Sequence, residues 1–210
     1  MGKKKAISLF LVIVLSALFI TGCSKETIYV PVASNTIEIT ENGEIVGYIV
    51  EPFDKEYYDI QELAAMAETE INEYNTEKKT LVKEAGGVPV VVDKVIMAED
   101  GSKNAVVALK FYNTAVYEDY MGRQLFHGTV EEAIIAGYDI DKKLSKVKGG
   151  DLLTGDLLQK NKDKKILILE AAVSVRLPQT IQFLSSNTKM DDYGYVDCTA
   201  NEELKYIIYK

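Results

Sequence analysis

Apolar and polar residues alternate through TIEITENGEIVGYIV, residues 36–50. Ile37 and Ile39 are offset by Glu38 and Thr40, and Ile45 to Val50 return after Asn42-Gly43. A period of two marks a strand buried on one face, and Asn-Gly supplies the positive φ angles of a tight reversal, so the stretch predicts a β-hairpin. After PFDKEYY the period changes. Leu63, Met66, Ala67, Ile71 and Tyr74 form one stripe at helical spacing. Asp59, with Glu62 three residues on, has the form of a capping box and starts this helix. It is predicted to end near Asn75.

The plan then recurs. VPVVVDKVIMAED and SKNAVVALKFYN are β-branched runs joined by Asp100-Gly101, a second hairpin, and TAVYEDYMG follows as a short helix stopped by Gly122. Residue identity between the two hairpin-helix units is negligible, so they are an architectural echo and not a repeat. Thr129 with Glu132 begins a further short helix in TVEEAIIAG. Residues 139–163 are rich in Lys, Asp and Gly. They are expected to be a loose segment with at most a turn of helix around Leu152 to Gln159, and a subdomain boundary could fall there. Strands return in KKILILEAAVSVRLP, QTIQFLSSN and the terminal LKYIIYK. The last is too apolar for a solvated end and predicts a strand buried on both faces, with Lys205 and Lys210 at its rims. This order fits α+β, an antiparallel sheet built from hairpins with a few helices packed on it, better than βαβ alternation.

The N-terminus has a different pattern. Met1-Gly2-Lys3-Lys4-Lys5 is followed by Ala6 to Ile20 without a charge. A basic start, an apolar core and small residues at the end form an export signal. As a helix the core would be about 22 Å long, short of a roughly 30 Å hydrocarbon slab. The run stops at Ile20-Thr21-Gly22-Cys23. This tetrad resembles the lipobox of bacterial lipoproteins, an aliphatic residue and two small ones before a cysteine. The resemblance implies that the Cys23 thiol receives a diacylglyceryl group, that signal peptidase II cuts between Gly22 and Cys23, and that fatty chains such as palmitate then hold the protein on the membrane. At about 0.8 kcal/mol per buried methylene, two or three chains give a far firmer grip than one. On this reading residues 1–22 are the signal, 23–35 the acylated cysteine and a tether reaching about 40 Å at most, and 36–210 a single extracytoplasmic domain.

Charge narrows the partners. The whole chain carries −8, and since the signal holds three lysines and no acid, the mature 188 residues carry −11. Nucleic acid and electrostatic adhesion to anionic lipid both need Lys/Arg clusters, so neither is expected. With Cys23 acylated, Cys198 has no disulfide partner and is expected in the core. The missing disulfide, the Lys/Glu/Ile/Tyr richness and the absence of Trp lean toward a Gram-positive cell.

No catalytic or cofactor motif has the required spacing: there is no phosphate loop, nucleophile elbow, HExxH or paired CxxC. No cofactor or metal is expected. The single histidine, His127, lies between a short strand and a helix start, where a loop or capping role is expected. Asp139 and Asp141 imitate the start of a calcium loop, but Lys143 stands where a third oxygen ligand belongs. Asp151 and Asp156, the group Asp191, Asp192, Asp197, Glu202 and Glu203, and the group Glu51, Asp54 and Glu56 read as solvated surface. Paired carboxylates held roughly 5 to 10 Å apart would be needed for glycoside hydrolysis. Thirteen tyrosines invite a glycan-stacking role, with Tyr57, Tyr58, Tyr112, Tyr117 and Tyr120 flanking the hairpin-helix units. The expected function is a membrane-anchored lipoprotein whose domain binds or scaffolds an envelope protein or glycan, leaning away from catalysis. The alternatives are an envelope enzyme acting on cell-wall glycan or peptide, and an accessory subunit of a transporter or sensor. Two converging carboxylates in a concave pocket would favour the enzyme, and a flat apolar patch a protein partner.

Overall fold

The computed structural model describes residues 34–82, 86–141, 143–201 and 203–210. The signal, the lipobox with Cys23, the tether as far as residue 33 and Glu202 lie outside the described residues. In chain order the first elements are β1 (Thr36–Ile39), β2 (Ile45–Pro52), α1 (Ile60–Glu77), β3 (Val90–Met97), β4 (Asn104–Phe111) and α2 (Thr114–Met121). Then follow β5 (Leu125–Thr129), α3 (Val130–Ile135), β6 (Leu144–Lys146), α4 (Gly155–Lys160) and β7 (Lys165–Leu169). The chain closes with β8 (Ser174–Arg176), β9 (Ile181–Ser185), β10 (Lys189–Met190), β11 (Val196–Asp197) and β12 (Lys205–Tyr209). The class is α+β, and the strands divide between two sheets, ordered β10-β11-β8-β1-β2-β4-β3 and β5-β7-β12-β9-β6. Every pairing is antiparallel except that of β1 with β8.

Both predicted hairpins form. Gly43 has φ 81°, its amide donates to the Thr40 carbonyl, and Thr40 pairs with Glu44. The reversal is thus a three-residue loop whose last residue needs the left-handed region, which glycine enters without a Cβ penalty. Gly101, at φ 80°, serves the second hairpin. The two hairpins are one structure: β2 pairs with β4 from Ile45–Phe111 to Pro52–Asn104. At the free edge, β3 carries a bulge at Asp93, whose carboxylate meets Lys110 at 2.9 Å. Bulges and charges of this kind discourage pairing with another chain.

Local caps follow the sequence closely. Asp59 caps α1 by accepting from the Gln61 amide at 2.7 Å, but Glu62 does not return the bond that a capping box needs; Gly122 ends α2 at φ 64°, and Thr129 and Glu132 form a complete capping box. The α1 stripe is shifted from the predicted one. Leu63, Ala67 and Tyr74 are half-buried and Ile71 is buried, but Met66 is 68% exposed. At 3.6 residues per turn Met66 sits about 100° from the centre of that stripe. Asn75 fastens α1 to the sheet, donating to the Val90 carbonyl and accepting from the Val90 amide.

The main core lies between the sheets. Ile37, Ile39, Ile45, Leu109 and Phe111 from the first meet Leu125, Leu167, Leu169, Ile207 and Tyr209 from the second. On the second sheet's outer face, Ile166, Ile168 and Ile208 are covered by Val130 and Ala133 of α3 and by Ile140, Leu144 and Leu153. The last three come from the segment 139–163, which folds onto the sheet. With both faces covered, the inner strands β7 and β12 are continuously apolar or buried, whereas β9 beside them still alternates. The terminal strand β12 is its middle member and every residue in it is buried. Lys205 does not mark a rim. Its side chain is fully buried, and Nζ donates to the carbonyls of Ala171 and Asn201. Backbone carbonyls near the strand end provide what solvent would otherwise supply, so the ammonium need not reach the surface.

Candidate ligand cleft

The parallel pair β1 and β8 sets the geometry. Thr36 stands beside Ser174, and two residues on Glu38 stands beside Arg176. Arg176 is therefore at the end of the sheet away from the point where the chain enters β1. Beyond it Leu177-Pro178-Gln179-Thr180 crosses to the second sheet, and a cleft of about 950 Å³ opens beside this crossing. Its other walls are Lys146 to Lys148 after β6, residues from α4, and the loop between β10 and β11. Val147 is fixed by its amide bond to the Gln182 carbonyl at 3.0 Å. The loop is fixed by Asp191, whose carboxylate accepts from the amides of Tyr193 at 2.9 Å and Tyr195 at 2.8 Å, with Gly194 at φ 87°. This turn holds Tyr193 outward, 73% exposed, above the cleft.

The cleft's charged lining consists of Lys146, Lys148 and Arg176, and its described lining contains no Asp, Glu, His or Cys. Lys146 has Asp151 at 3.5 Å and Arg176 has Glu38 at 3.3 Å, both acids lying outside the lining. The Glu38 carboxylate also accepts from the Tyr48 hydroxyl at 2.7 Å. Burial and then this bond push the Tyr48 phenol far above its usual range. It stays a donor at every physiological pH and steadies Glu38 against Arg176.

A second, smaller hollow of about 370 Å³ shares Arg176, Leu177 and Pro178 and gathers Glu38, Glu41, Glu44 and Asp93. Two of these acids are engaged, Glu38 with Tyr48 and Arg176, and Asp93 with Lys110. Among the described residues no three His, Cys, Asp or Glu side chains are grouped to hold a metal ion.

The residues singled out from sequence do not converge. His127 lies within β5 and not after it, and its Nε2 is 2.6 Å from the Tyr209 hydroxyl with the rings stacked. Burial, and then the Lys165 ammonium, hold its pKa below the usual value against the pull of Glu132. Cys198 is fully buried, and burial pushes its thiol up to about 12. Such a thiol is inert at neutral pH. Asp197 accepts from the Thr199 amide and hydroxyl, and Asp139 meets Lys143, the residue that spoils the calcium pattern. Tyr117 is 1% exposed in the core, Tyr120 donates to Glu70, and Tyr57 and Tyr58 pack on each other beside Phe53. The cleft instead uses Tyr193 and Tyr195. The signal for Tyr193 was the Asp-x-Tyr-Gly turn at residues 191–194, which places that residue at the tip of a reversal. Among the described residues no helix is long and apolar enough to cross a membrane. No family model, no curated protein and no solved structure matches this chain.

Proposed function

We propose that this protein is an extracytoplasmic lipoprotein, held on the membrane by acyl chains on Cys23, whose domain binds an envelope ligand in the 950 Å³ cleft without transforming it. The observation that carries the reading is the make-up of that lining. A ligand-sized hollow with aromatic, amide and cationic groups can hold a molecule, but hydrolysis of glycan or peptide calls for an acid and a base within reach of the scissile bond. Among the described lining residues there is neither carboxylate nor imidazole. The anchoring half rests on the resemblance of Ile20-Thr21-Gly22-Cys23 to a lipobox. The cleft lies toward the end of β1 away from Thr36.

Two measurements test the halves separately. Cys23→Ala should abolish labelling by a fatty-acid analogue and leave uncleaved precursor, because no other group there can accept the diacylglyceryl unit. Equal labelling of mutant and wild type would end the lipoprotein reading. For the cleft, the mature protein in detergent should co-sediment with isolated cell wall, and Tyr193→Ala should reduce that more than Tyr57→Ala. Equal effects would remove the cleft from the function.

A further inference from the structure

We propose that the ligand of this cleft is an acidic saccharide, a chain of sugar units bearing carboxylate or phosphate groups. The proposal rests on the cleft being a binding site and names what it takes. On a chain with eight more acids than bases, a hollow whose described lining holds three cations and no carboxylate concentrates positive charge, with Asp151 and Glu38 beside two of the three. Concave walls focus such a field on whatever enters. Arg176 has five N–H donors, and Glu38 faces one side of the guanidinium. Its Nη1 is buried against Glu38, 3.3 Å from Oε1 without a well-formed hydrogen bond, so only the remaining donors of this partly exposed guanidinium can serve a ligand in the cleft. The Lys146–Asp151 pair is exposed and long, a contact that an incoming anion can replace at little cost.

Charge alone would suit any small anion, and the rest of the lining selects further. Tyr193 offers an exposed ring face, the surface on which a sugar's C–H face stacks. Gln179 and Gln182 add amides that donate to and accept from hydroxyl groups in the same hollow. A nucleic acid would meet the same cations but also the acidic remainder of the surface, which repels a long polyanion. An acidic peptide such as polyglutamate would use the cations and the amides but leave the Tyr193 ring without a sugar C–H face to stack on. The hollow's volume matches a few sugar units and exceeds what a single phosphate fills.

The test uses mature protein extracted in detergent, titrated with fluorescently labelled hexagalacturonate, a hexamer of glucose units joined by phosphodiesters, a neutral hexamer of glucose and hexaglutamate. The two acidic saccharides are expected to bind, with affinity falling at least about tenfold between 50 and 300 mM salt. Lys148→Glu, on an exposed side chain, should weaken both by about tenfold or more, while Lys103→Glu, in the turn between β3 and β4, should not. Tyr193→Ala should weaken both and leave the melting temperature unchanged. Neutral glucose hexamer binding as tightly as the acidic ones would overturn the proposal while leaving the cleft a binding site. Hexaglutamate binding as tightly, or inorganic phosphate displacing the saccharides at equal concentration, would overturn it in favour of bare anion binding. If none of these probes nor isolated cell wall binds, the binding reading itself fails.

Discussion

His127 and Tyr209 offer a sharp test of the fold, because the chain has one histidine and its partner sits on the last strand. Tyr209→Phe keeps the ring and removes the oxygen 2.6 Å from His127 Nε2. The variant loses one hydrogen bond and leaves a half-buried ring nitrogen without it, which together cost about 1–3 kcal/mol. With a urea m-value of about 2 kcal/mol per molar for a domain of this size, the midpoint should fall by about 0.5–1.5 M at pH 7.5. Far-UV circular dichroism reads it directly.

The pH dependence then follows from the sign of the shift. His127 titrates below 6.5 in the folded state, so the unfolded chain takes up its proton first on acidification. Stability is therefore full above about 6.5 and is lost as pH falls through the folded pKa. On protonation the bond reverses, the imidazolium Nε2–H donating to the Tyr209 hydroxyl oxygen, so the deficit of Tyr209→Phe should persist on acidification. His127→Phe should remove this histidine's part of the acid loss. A midpoint unchanged to within about 0.2 M at pH 7.5 would refute the bond, and with it the register β5-β7-β12 that brings the two rings together. The alkaline limb is less specific, since Tyr74, Tyr117 and Tyr209 are each raised to about 12 and all lose stability as pH climbs above 10.

Three further outcomes are expected. Gly43→Val, at φ 81°, should lower stability by about 1–3 kcal/mol in the same urea assay, and an unchanged midpoint would mean that the left-handed turn does not form. Deleting Leu204 to Lys210 removes the middle strand of the second sheet and part of both apolar cores, so the product should aggregate or lose cooperative unfolding; a normal melt would contradict the position of β12. Cys198 should react with iodoacetamide at pH 8 at least about a hundredfold more slowly in the folded protein than in urea, read by mass spectrometry of its peptide, and similar rates would place the thiol at the surface.

Features decided within a few residues were legible in the sequence. Asp59, Gly122 and the Thr129–Glu132 box cap or stop their helices through bonds to nearby backbone, and Gly43 and Gly101 adopt backbone angles that their neighbours demand. Such contacts carry their partners with them along the chain. Periodicity also separated strands from helices, and the density of LKYIIYK announced a strand covered on both faces. Beyond the two hairpins, which strand lies beside which was not legible, because alternation says that one face is apolar and not what covers it. The pairing of β1 with β8 joins residues about 140 positions apart, and it alone brings Glu38 to Arg176. Lys205 looked like a rim lysine because no local pattern reveals carbonyls arriving from residues 171 and 201. Met66 looked like core because it is apolar, whereas it sits about 100° around α1 from the residues that pack inward and so lies in solvent. The cleft itself gathers cations and aromatic rings from residues 146 to 195, each ordinary in its own segment. Their convergence is a property of the two packed sheets, since a field and a hollow exist only once distant segments share a wall.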